Sequence, residues 1–118
     1  MPDTTLNRPM MTLAALAGGL GIAAAARGQH MSEADLGIAA NMLLVHAPVL
    51  LFVSLIGRRL TQIAGYVLVV GLVLFAGDLA MRAEFGHALF SLAAPLGGGA
   101  LIIGWLVLAV SAWVGRTR

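Results

Sequence analysis

No cysteine occurs in the chain of 118 residues. That excludes disulfides, thiol catalysis and zinc–thiolate sites. Lysine is absent as well, so every basic side chain except histidine is an arginine. Charged residues make up 10% of the chain, where a soluble domain carries about 25%. The formal charge is only +2. The few arginines sit at the ends of apolar blocks rather than in a patch, so no nucleic-acid partner is expected.

What is present is apolar: 60% of the residues are hydrophobic. They fall in four long blocks, the pattern of a polytopic membrane protein. The blocks leave no room for a further soluble domain. The last block, Leu89 to Val114, is the most informative, because nothing charged lies between Glu84 and Arg116. Even the part after Pro95 would span roughly 28 Å as a helix, about one bilayer core. The predicted spans are about 9–26, 36–57, 60–80 and 89–114. They form an all-α membrane protein, a four-transmembrane-helix bundle occupying the whole of 1–118 as a single domain.

The N-terminus has the layout of a signal peptide, with Arg8, the apolar Met10–Ile22 and an Ala24-Ala25-Ala26 site. Cleavage is not expected. It would leave three spans and disturb the charge topology. One side of the bundle would hold Arg8, Arg58, Arg59, Arg116 and Arg118, and the other Arg27 and Arg82. In a bacterial inner membrane that imbalance places both termini in the cytoplasm. Trp113 would then mark the cytoplasmic interface, and Arg58-Arg59 would touch anionic headgroups. So short a basic link also makes the second and third spans antiparallel neighbours.

Glycine is costly inside a soluble helix but useful in a membrane, where small residues let two backbones approach. Ala93, Gly97, Ala100, Gly104 and Ser111 share one face of the fourth span. Ala14, Gly18, Gly21 and Ala25 make a similar face on the first, with Leu13, Leu16 and Leu20 on the other side. Both faces are expected to pack closely on other helices. Pro95 belongs in the first turn of its helix, where its missing N–H is harmless. Ser32 with Asp35 suggests a start for the second helix. Residues 27–35 and 81–88 read as loops.

The polar residues inside the spans are few: Asn41, His46, Asp78 and Trp105, with Arg82 near the outer boundary. His46 lies near the middle of its span, so a neutral ring facing protein is expected. Its natural partners are the indole of Trp105 or a backbone carbonyl exposed by Pro48. Asn41, five residues away, points about 140° from it. Asp78 and Arg82 stand at i, i+4, the spacing of an ion pair. Ala64, Leu68, Gly71, Phe75, Asp78 and Arg82 share one face of the third span. His30, Glu33 and Asp35 form an exposed loop cluster rather than a metal site. No catalytic residue, cofactor or metal ligand is expected.

Several short elements occur together in order: Gly28-Gln29-His30, His46, Leu74-Phe75-Ala76-Gly77, Pro95-Leu96-Gly97-Gly98 and Gly104-Trp105. In that order and spacing the chain resembles the small four-span inner-membrane family called domain of unknown function 423, itself similar to a mitochondrial transmembrane family. The resemblance runs from about Met11 to Ala112. It implies location and fold, and no activity. The chain departs from the family pattern at Met42, where a tyrosine is usual. Asp78 and Ala80 replace a serine and a tyrosine, and Ala94 replaces a threonine.

These readings favour a non-enzymatic accessory or structural subunit whose partners are the lipid bilayer and other membrane helices, or copies of itself. Two alternatives use the polar residues differently. A small transporter or proton-conducting protein would rely on His46 and Asp78. A redox protein would hold haem through His46 and a ligand from another subunit.

Overall fold

A computed structural model describes residues 6–31 and 33–114. Ser32, the expected cap of the second helix, and the topology-setting Arg116 and Arg118 lie outside the described residues. Among the described residues the chain forms four helices: α1 (Arg8–Met31), α2 (Ala34–Leu55), α3 (Arg59–Phe85) and α4 (Ala93–Ser111). All four are long and apolar enough to cross a membrane.

Local chemistry explains the boundaries. Asn7 caps α1: its side-chain oxygen accepts from the backbone N–H of Met10 at 3.0 Å, and Pro9 occupies the first turn. α1 then continues through Arg27 to Met31, which the sequence places in a loop. Nothing in Arg27–Met31 breaks a helix. Gly28 is also buried against the start of α2, where an added Cβ would lie 3.1 Å from Leu36 Cβ. Glu33 caps α2 through its carboxylate, which accepts from Asp35 N at 3.3 Å.

α3 likewise runs on past the expected boundary to Phe85. It stops at Gly86, whose φ of 79° is a left-handed conformation that glycine adopts without strain. α4 begins at Ala93, four residues later than the expected start of the fourth span at Leu89. Leu89 N is instead held by Asp78 Oδ1 at 2.9 Å. Pro95 is the third residue of α4, inside its first turn.

The helices pair as two antiparallel hairpins. α1 packs along α2, α3 packs along α4, and α2 meets α3 over a smaller area. α1 approaches α3 over only a short stretch, and among the described residues α1 and α4 make no close backbone approach. The two small-residue faces therefore do not meet each other. The Cα extents of 47 × 27 × 17 Å show a flattened bundle. Its core is Met10, Ala14, Ala17, Leu50, Val53, Leu68, Leu72 and Leu101, drawn from all four helices.

Candidate functional site

The closest backbone approach is between α3 and α4. A Cβ added at Gly97 would stand 2.5 Å from Phe75 N and 2.9 Å from Gly71 O. One added at Gly71 would stand 2.8 Å from Gly97 O. The two glycines thus face each other with no room for a side chain. About two turns further on, Gly104 receives Leu68, whose Cδ2 would lie 2.7 Å from an added Cβ. Ala93 and Ser111 are also buried, and Ala100 is half-buried. On α3 the complementary face is Ala64, Leu68, Gly71 and Asp78, all buried, with Phe75 half-buried.

The α1 face works in the same way against α2. Gly21 admits Leu44, whose Cγ would be 2.7 Å from an added Cβ, and Gly18 lies against Ala47. Ala14 is buried. Ala25 differs from its neighbours on this face: it is exposed and lines an open groove between α1 and α2.

Midway along the helices, α2 and α4 have no close backbone contact, yet a side-chain bridge joins the buried His46 to Trp105, whose ring is partly exposed on the outside of the bundle. Trp105 Nε1 donates to His46 Nε2 at 3.1 Å. The rings stand 5.8 Å apart, centre to centre. His46 Nδ1 lies 2.7 Å from Met42 O. An indole N–H only donates and a carbonyl only accepts, so His46 must be the neutral tautomer with its proton on Nδ1. The carbonyl it uses is that of Met42, one turn back on its own helix, rather than one freed by Pro48. His46 is buried, while Asn41 is exposed, so their side chains do diverge.

At the end of the bundle near Arg82, Asp78 is fully buried and both its oxygens are used. Arg82 Nε donates to Oδ2 at 2.8 Å, and the Leu89 backbone N–H donates to Oδ1. Asp78 therefore ties the α3–α4 connection back onto α3. A second ion pair, Arg27 with Glu84, joins α1 to α3 at the same end. His30 and His87 are exposed there. Among the described residues, no three His, Asp or Glu side chains converge as metal ligands would.

The opposite end carries a network the sequence reading did not single out. Asn7 N donates to Ser54 O at 2.9 Å, and its side-chain amide donates to Gln62 Oε1. Gln62 Nε2 donates to the Val53 and Ile56 carbonyls that end α2. Arg58 Nη2 does the same for α4, donating to Ser111 O at 2.9 Å and Val114 O at 2.8 Å. Thr61 Oγ1 donates to Ser111 Oγ at 3.1 Å. Asn7, Gln62 and Arg58 thus bring donors to carbonyls at the C-terminal ends of α2 and α4, where the helix itself supplies few. Only a polar residue's closeness to a helix end hints at this in the sequence.

Between α1 and α3 lies an apolar groove of about 380 Å³, floored by Ala39, Leu43 and Leu50 of α2. No titratable side chain lines it.

Residues 12–98 match the family described as Protein of unknown function (DUF423). The chain belongs to that family. The DUF423 match takes in α2, α3 and the Gly71–Gly97 contact, and it stops before Gly104-Trp105, short of the extent suggested by the motifs. No curated protein and no solved structure matches the chain.

Proposed function

We propose that this DUF423 protein is a non-enzymatic accessory or structural subunit of a bacterial inner membrane, packing against other membrane helices, with both termini in the cytoplasm. The observation that carries the reading is the use made of its intramembrane polar groups. Both nitrogens of His46 and both oxygens of Asp78 are engaged in tying segments of this chain together. A proton or ion pathway through them would have to break those bonds. A haem iron at His46 Nε2 would have to displace Trp105.

The orientation rests on the arginine imbalance. The Arg58 end, where α1 and α3 begin and α2 and α4 finish, is the cytoplasmic one in this reading. Reporter fusions at Thr117 and within residues 31–35 should fall on opposite sides, and a shared side refutes the topology. Purification in mild detergent, followed by identification of co-migrating proteins, tests the role. The expected result is companion membrane protein or further copies of the chain in fixed proportion. Flux through proteoliposomes that disappears with Asp78→Asn or His46→Ala would overturn it, as would a Soret band after haem-replete expression.

A further inference from the structure

The outward face of α2 has a pattern that the bundle uses only along one edge, where Leu44 fits against Gly21 of α1 and the Gly37 backbone lies near Gly28. Gly37, Asn41, Leu44, Pro48, Leu51 and Leu55 follow one another at alternating spacings of four and three residues, and all are exposed. That is the seam of a left-handed helix pair. Asn41 and Pro48 occupy its centre line. Asn41 lies roughly 10 Å along the axis from the start of α2, well inside the candidate span. None of the side-chain hydrogen bonds among the described residues involves it. An amide left facing hydrocarbon is costly, because no water is available to pair with it.

We infer that α2 pairs with α2 of a second copy of this chain, in parallel, with Asn41 hydrogen-bonded to Asn41 across a two-fold axis along the membrane normal. This rests on the packing role proposed above and names the partner. Copies inserted in the same orientation bring residue i against residue i at such an axis. A carboxamide carries both donor and acceptor, so it is complementary to itself, whereas an unrelated helix would need a matching polar group at the same depth. A lone asparagine at a central seam position is also the device that sets register in parallel helix pairs. One turn away, an added Cβ at Gly37 would meet nothing within 4 Å, so a neighbouring backbone can come close there. The open groove beside it, lined by Ala25, Gly28 and Gln29, gives space for side chains of the incoming helix.

The absence of cysteine makes the test direct. Leu51→Cys puts a single thiol on the seam, and Ile102→Cys puts one on an exposed face of α4. Oxidation in native membranes should give a disulfide-linked homodimer with Leu51→Cys and little with Ile102→Cys. Adding Asn41→Leu should reduce the Leu51→Cys dimer roughly threefold to tenfold, while Asn41→Gln retains more of it. Thermal stability of the monomer should not fall with Asn41→Leu, which separates pairing from folding. Equal cross-linking at both thiols, or cross-linking unchanged by Asn41→Leu, overturns the inference. A photoreactive residue at position 44 distinguishes the two levels of the argument. Capture of a different membrane protein without homodimer overturns self-pairing and leaves the packing role standing. No adduct of either kind, with no co-purifying protein, removes both.

Discussion

The Gly71–Gly97 contact makes the sharpest demand on the α3–α4 pair, and a single methyl group tests it. In Gly97→Ala the new Cβ would stand 2.5 Å from Phe75 N and 2.9 Å from both Gly71 O and Leu74 Cβ. Two of the three obstacles are backbone, so no side-chain rotation relieves them. Restoring ordinary contact at 3.4 Å requires the helices to part by roughly an ångström, and a gap of that size forfeits a quarter to a half of each dispersion well along the seam. Overpacking of this kind costs about 1–3 kcal/mol. Alanine's better helix propensity returns at most about 1 kcal/mol, so a net loss is expected. Gly99→Ala is the matched control: an added Cβ there meets nothing within 4 Å, so only the propensity gain applies. Unfolding of the two variants in mixed micelles, followed by circular dichroism, measures the difference directly. If Gly97→Ala is as stable as Gly99→Ala, the backbone contact does not exist and the account of α4 packing is wrong.

Two further outcomes follow from the polar contacts. Trp105→Phe removes the donor to the buried His46 Nε2 and should cost about 1–3 kcal/mol in thermal unfolding. A surface substitution such as Ile102→Ala should cost far less. Asp78→Ala leaves the Leu89 N–H and the Arg82 guanidinium without their shared acceptor; because Arg82 is half exposed and can be solvated, the expected cost is about 1–3 kcal/mol. Limited proteolysis of the 86–92 connection should then accelerate markedly. An unchanged digestion rate would mean that Asp78 does not hold that segment.

Some of this was legible in the residues because the membrane leaves few choices. Trp105 and His46 are polar groups deep in apolar helices, so each had to find a partner, and the partners available were few. The glycine faces were legible for a similar reason: in a membrane helix, aligned small residues have a packing use. Helix ends were harder. Arg27 and Arg82 mark where the apolar run stops, and the sequence reading placed loops there. Helices do not end where hydrophobicity ends, however. Backbone bonding continues through Met31 and Phe85, and Arg27 and Glu84 pair from within the continued helices α1 and α3. The network of Asn7, Gln62, Arg58 and Ser111 was not legible, because polar residues near a helix end have many possible acceptors. Which carbonyls they meet depends on how neighbouring helices align. Nor could two matching faces reveal that α1 would turn to α2 and α4 to α3.

The pairing scheme also bears on how the fold is assembled during synthesis. Most intimate contacts lie between consecutive helices, α1 with α2 and α3 with α4, and among the described residues the backbones of α1 and α4 do not come close. A chain leaving the ribosome from its N-terminus can therefore close its first hairpin before α3 has emerged. The second hairpin can close in turn without waiting for a distant segment. Only docking of the two, through the α2–α3 surface and the polar clasps at either end, needs most of the chain in the membrane. Loop closure over short separations carries the smaller entropic cost. The slow, concerted part of folding is thus confined to one interface, and that interface is where a destabilised chain would be expected to come apart first.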